Sequence, residues 1–141
     1  MITKTGLHAV RAVAALARLP EGVYAGAAKV AKEIGAPQNY LGKLLQNLTH
    51  EGLVESQKGL GGGFRLARDP RQITLLDVVE PIERVSRWSG CILGRPECDD
   101  VNPCAIHSKW KTVRNAYLNL LQSSTIADLI KHGEPALLTA I

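Results

Sequence analysis

The sequence predicts a mainly α fold with a small β-hairpin wing, a winged helix-turn-helix domain followed by a long amphipathic helix. Three observations predict it. Apolar residues recur at helical spacing in three successive segments of the first fifty residues. The third segment runs at once into two short strand-like runs around a glycine-rich, basic tip. A further apolar stripe, in three- and four-residue steps, returns after residue 105.

Val10, Val13, Ala14, Leu16 and Ala17 give a first helix one apolar face, over about residues 5–19. Pro20, Glu21 and Gly22 end it. A second helix fits residues 25–34, with Ala28, Val30, Ala31 and Ile34 inward and Gly35 as its stop. Pro37 opens a third, because proline is tolerated in a first helical turn. It carries Tyr40, Leu41, Leu44, Leu45 and Leu48 to about residue 50. Only Gly35 and Ala36 separate the last two helices, which is helix-turn-helix spacing. Residues 52–57 and 64–67 then read as two strands, with Lys58, Gly59, Leu60, Gly61, Gly62 and Gly63 at the tip. The order is that of a winged helix, in which the third helix enters the major groove and the hairpin lies along the backbone or minor groove.

The glycine run is not a nucleotide loop. No Lys-Ser/Thr pair follows Gly63, and Phe64-Arg65-Leu66 continues as strand rather than helix. Glycines that supply positive φ in a hairpin turn suffice locally, and small residues also let a wing approach DNA.

Thr74 is placed to cap a fourth helix through about Pro81, burying Leu75, Val78 and Val79. Residues 83–103 form a loop rich in Gly, Pro and Asp. Then Ile106, Trp110, Val113, Tyr117, Leu120 and Leu121 line a helix of about five turns. So small a protein has little core to cover that stripe. Ile106, Trp110, Val113, Tyr117 and Leu120 are expected to pack against the same helix of a second copy, making it a long dimerisation helix. Packing back on its own domain is the alternative. A terminal helix over residues 125–130 would cross back onto the core. The expected divisions are residues 1–82 for the winged domain, 83–104 for the cysteine loop, 105–131 for the dimerisation and terminal helices, and 132–141 as a tail.

The chain has 141 residues and a formal charge of +4, unevenly placed. Residues 1–68 hold nine Lys and Arg against four Asp and Glu; residues 69–141 hold eight against nine. The basic half is therefore the candidate for meeting phosphate. No run is apolar enough to span a bilayer, and Arg11 and Arg18 interrupt the apolar segment 9–19, so it reads as a helix rather than an export signal. Three cysteines cannot all pair within one chain; a reducing cytoplasm, with the thiols kept for metal or redox work, is the expected compartment. No Ser/His/Asp set, paired catalytic carboxylates or cofactor loop suggests an enzyme.

All three cysteines and one histidine fall within seventeen residues, Cys91, Cys98, Cys104 and His107, spaced C-x6-C-x5-C-x2-H. Thiolate sulfur with imidazole nitrogen suits zinc or an iron–sulfur cluster. Structural zinc usually shows two close ligand pairs, and only Cys104 and His107 are close here. On ligand chemistry alone the two metals stay open. The acids Glu97, Asp99 and Asp100 are expected to disfavour free thiolates, which a bound cation would override.

For DNA contact the expected residues are Gln38, Asn39 and Tyr40 at the start of the third helix, Lys43 beside them, and Lys58 and Arg65 on the wing. Gln and Asn pair with adenine edges, while Lys and Arg mainly meet phosphate.

Taken in order, these features resemble the Rrf-type winged-helix transcription regulators, a family with IscR- and NsrR-like iron–sulfur members. The likeness covers nearly the whole length. It lies in Ile2, Thr3, Gly6, Ala9 and Val10; in Asn39, Tyr40 and Leu41; and in the wing from Gly52 through Lys58 and the glycines to Phe64, Arg65 and Leu66. The three cysteines and the closing Thr125, Ile126, Ala127, Asp128 and Leu129 complete it. The resemblance implies a homodimeric, cytoplasmic regulator of a palindromic double-stranded DNA operator. It implies that Cys91, Cys98 and Cys104 hold a 2Fe–2S or 4Fe–4S cluster, the two-iron form first, whose response to redox state, nitric oxide or iron supply sets operator affinity. A zinc-stapled or thiol-switched DNA-binding regulator without a cluster is the alternative that the ligand chemistry leaves. His107 takes the place of the histidine of the IscR-type site. The acidic ligand of NsrR-like members, supplied by the partner subunit, falls on Leu7 here, which has no donor atom; neighbouring His8, acting across the dimer, is the alternative to His107 as fourth ligand. Two departures stand out: the first cysteine spacing is six residues rather than five, and Gly42 sits inside the recognition helix where a polar side chain would usually reach a base.

Overall fold

A computed structural model describes residues 2–87 and 90–131. The tail expected over 132–141 lies outside the described residues. Six α-helices and one hairpin follow in chain order: α1 (Lys4–Ala17), α2 (Ala27–Ile34), α3 (Gln38–His50), β1 (Val54–Gln57), β2 (Gly63–Leu66), α4 (Leu75–Glu83), α5 (His107–Ser123) and α6 (Ile126–Lys131). Short 3-10 turns occupy Pro70–Gln72 and Val85–Arg87.

Helix α1 starts where Thr3 caps it, the hydroxyl accepting the Gly6 N–H. Thr3 is itself held from the far end of α4: Glu83 Oε1 accepts its N–H at 2.6 Å and its hydroxyl at 2.7 Å. Helix α2 begins two residues later than the periodicity predicts, because Ala25 is taken by a strand contact. Its N–H donates to Phe64 O at 2.9 Å and its carbonyl accepts the Phe64 N–H at 2.8 Å. The wing thus gains a one-residue third strand. Gly63 makes this approach possible: a Cβ there would lie 2.5 Å from Ala25 backbone atoms, and φ is 136°. Gly35, in the left-handed region at φ 70°, closes α2 and turns the chain into α3.

The strands of the hairpin pair antiparallel, with Glu55 opposite Arg65 and Ser56 opposite Phe64. Thr74 and Asp77 then form a reciprocal capping box at the start of α4. Helix α4 runs past Pro81 to Glu83 and stops at Arg84, whose φ is 51°. Proline removes one hydrogen bond but keeps a helical φ, and the Arg84 N–H still reaches Glu80 O at 2.9 Å.

One core joins these elements. Leu41, Leu45 and Leu48 of α3, Val13 of α1, Val30 of α2, Leu53, Ile73 and Val78 meet in it, all at most 1 % exposed. Leu121 of α5 and Ile126 of α6 are buried in the same cluster. A backbone clasp fixes them there: Leu75 N–H donates to Ser124 O, and Ile126 N–H to Ile73 O, both at 2.9 Å. No helix among the described residues is long and apolar enough to cross a membrane.

Candidate DNA interface and candidate metal centre

Helix α3 presents one polar stripe beside the wing. Gln38, Asn39, Gly42, Lys43 and Gln46 line an open cleft whose other wall is Ala27 and Phe64. Gln38, Asn39, Lys43 and Gln46 are exposed. Three of the expected contact residues thus share one face. Gln46 was missed by the sequence reading, although it stands two helical turns beyond Gln38 on the same stripe.

Tyr40 is turned away from that face. Its hydroxyl meets His8 Nδ1 at 3.2 Å and its ring stands edge-on to the imidazole, with centroids 5.4 Å apart. It is half-buried against the core, as its place in the apolar set of α3 requires. His8 is buried, and burial first, then repulsion from Lys4 and Arg11, hold its pKa below the ordinary value. A neutral imidazole is what this position favours.

Lys58 is exposed at the base of the wing tip, and Leu60 stands fully exposed beyond it. Arg65 lies elsewhere than expected. Side chains alternate along a strand, so with Phe64 in the α3 cleft Arg65 points to the opposite face. There its guanidinium pairs with Glu55 and lies over the Tyr24 ring, 4.5 Å from the centroid. Its Nε–H is held by Glu55, so a phosphate contact there would compete with that pair.

The cysteine segment has little regular structure beyond its first 3-10 turn. Gly94 N–H donates to Cys91 O at 3.0 Å, making a tight turn, and Arg95 donates to Asn102 O at 3.1 Å. Trp110 of α5 reaches back through its indole N–H to Gly90 O at 3.3 Å. All three cysteines are half-buried, and none is in a disulfide.

Two of the donors meet: Cys98 Sγ lies 3.1 Å from His107 Nδ1. His107 is the first residue of α5 and is buried; its Nε2 lies 2.7 Å from Asp100 Oδ1. Lys111, one turn further along α5, holds the same carboxylate at 2.9 and 3.2 Å. Lys111 first, then His107, keep the Asp100 pKa below the usual carboxylate value. An ionised Asp100 accepts the Nε2–H and leaves the Nδ1 lone pair facing the thiol. A carboxylate on one ring nitrogen fixes the tautomer and orientation of the imidazole and leaves the other nitrogen as a donor. Among the described residues no three Cys, His, Asp or Glu side chains close on a common metal position. The donor chemistry, soft sulfur with an oriented imidazole, fits a cluster or zinc.

The acids do not act on Cys91 as expected. Its pKa is lowered: the Leu93 N–H donates to its sulfur, Arg95 and Cys104 assist, and these outweigh the opposing effect of burial. Asp100 is engaged with His107 and Lys111, and Asp99 accepts the Val101 N–H at 2.8 Å.

Along α5 the stripe splits. Val113 and Leu120 are 59 % and 53 % exposed, whereas Tyr117 packs on the chain's own core beside the buried Leu121. Ile106 and Trp110 are half-buried.

The family model of Rrf2, described as iron-dependent transcriptional regulator, matches residues 2–132. Protein aau3 of Rhizobium meliloti is 37 % identical over 117 residues, 82 % of this chain and 71 % of that protein. Among solved structures, T. potens IscR is 27 % identical with a TM-score of 0.77, over 96 % of this chain and 90 % of its own. CymR, the global cysteine regulator of B. subtilis, is 25 % identical with a TM-score of 0.80, over 95 % and 98 %.

Proposed function

Because the chain belongs to the Rrf2 family of transcriptional regulators, we propose that it binds a palindromic operator as a homodimer whose affinity is set by an iron–sulfur cluster. Cys91, Cys98, Cys104 and His107 would hold the cluster, a two-iron form before a four-iron one. Bound there, it supplies a one-electron couple and a lability toward oxidants or iron scarcity that make a sensor. The observation that carries this reading is His107, with Nδ1 turned to Cys98 and Nε2 held by Asp100.

This chain's own residues supply the route to DNA. The Cys104 carbonyl accepts the His107 N–H at 3.0 Å, so the ligand segment runs directly into the first turn of α5. Ordering that segment fixes the start of α5. Val113 and Leu120 on the same helix are open to a second copy. Two recognition helices must sit about 34 Å apart to read both half-sites, so a small change in dimer geometry changes affinity. Such a DNA partner places the work in the cytoplasm.

Anaerobic purification followed by visible and paramagnetic-resonance spectra tests the reading. Brown, iron-containing protein is expected. Colourless protein without iron after reconstitution overturns it, and colourless protein with bound zinc supports the Cys3His zinc alternative. A Cys98→Ala variant should lose the cluster and change operator affinity; unchanged affinity would break the coupling.

A second reading has its own observation. Cys91 carries a thiol of lowered pKa, its sulfur accepting the Leu93 N–H. Oxidation of Cys91 with a second cysteine of the segment by hydrogen peroxide would join the two sulfurs and release two waters, giving a thiol switch without a cluster. The likeness to CymR adds support. Peroxide-dependent loss of two titratable thiols from metal-free protein, with a change in operator affinity, would favour it.

A further inference from the structure

Gly42 stands in the interior of α3, where glycine is a poor helix former. Nothing in the fold requires it. A Cβ built there would meet only the Ala27 Cβ, at 3.8 Å, an ordinary contact, and no positive φ is involved. The reason for the glycine therefore lies outside the core. It stands midway along the exposed stripe, between Gln38 and Gln46, facing the open cleft beside Phe64.

Gln38 and Gln46 are about 12 Å apart along the helix, at about 1.5 Å per residue. That is about three to four base pairs at ~3.4 Å each. A convex helix touches the floor of a groove first at its middle, so a side chain at position 42 would hold both ends off. We infer that Gly42 and Gln46 belong to the base-reading surface. The notch at Gly42 seats α3 deeply, and Gln46 reads an adenine-containing pair that Gln38 cannot reach. The Gln amide carries the donor and acceptor that match adenine N7 and N6 in the major groove. The inference rests on the operator-binding reading above.

Selection from a library of random duplexes, with the unmodified full chain and with Gln38→Ala and Gln46→Ala, tests it. The unmodified protein should return a two-fold symmetric consensus. Gln46→Ala should lose preference at one position per half-site, distinct from the position lost in Gln38→Ala. Its affinity for the original consensus should fall about tenfold. Gly42→Ala should raise the Tm by about 3 °C. It should also weaken consensus binding about tenfold, leaving binding to a scrambled duplex unchanged. An unchanged consensus for Gln46→Ala, or undiminished consensus binding by Gly42→Ala, overturns the inference. So does a fall in the Gly42→Ala Tm, which would mean that the fold itself needs the glycine. If the unmodified protein returns no consensus at all, the operator-binding reading fails instead.

Discussion

Leu45 of α3 is wholly buried; Val101 of the cysteine segment is 84 % exposed. Both are aliphatic, and the contrast holds for their surroundings. Residues 2–83 fold around one apolar cluster that every helix of the headpiece enters. Residues 90–106 hold Ile92, Leu93 and Val101 out in solvent and are tied by backbone turns, one arginine, one indole and the sulfur contacts. The headpiece is ordered by burial, which needs no ligand. The segment buries little apolar surface of its own and is held by polar contacts instead. A headpiece ordered by burial is thus joined to a segment that burial does not order.

The largest effect that could break this contrast lies in the core. Leu45→Ala should lose about 2–5 kcal/mol of stability, measured by urea unfolding, with operator binding lost at elevated temperature. A loss under about 1 kcal/mol would mean that the headpiece core is not what orders it. Next comes the orientation of His107. On the cluster reading, Asp100→Asn should weaken metal retention about 10–100-fold, followed by iron released to a chelator, with the Tm of the metal-free protein unchanged. Equal loss of Tm and of iron would erase the distinction between the two regions. Lys58→Ala should weaken binding on every duplex and lower the salt slope by about one. An unaltered slope would remove Lys58 from the phosphate contacts. The smallest effect belongs to Val101→Ala, which should change stability by no more than about 0.5 kcal/mol.

Much of the headpiece was legible because a buried helix face leaves a repeat in the sequence. The order of α2 and α3, the glycine stop between them, and the capping Thr74 follow periodicity and cap chemistry; only the start of α2 shifts, by two residues. What was missed has no repeat. The Ala25–Phe64 bridge is a single residue pair, too short to show a period of two. Pro81 reads as a stop, but proline forbids one donor and not the helical φ. Tyr40 and Arg65 also make contacts within the chain, to His8 and Glu55, which residue type alone does not reveal. At the cysteine segment, spacing marked the candidate donors but not which of them meet. Which thiol meets His107, and which has its pKa lowered by a backbone N–H, depends on turns that no sequence period encodes.

Both flanks of the cysteine segment are anchored to the same body: α4 packs along α1 and against α5, and Leu121 locks α5 into the core. The segment is therefore a closed loop between two fixed posts. For a closed loop near twenty residues long, one extra residue costs under about 0.1 kcal/mol in closure entropy. Its length can change by a residue without disturbing the helices that flank it. Diversification among relatives should accordingly concentrate in the tether, where insertions are nearly neutral, while the posts stay in register.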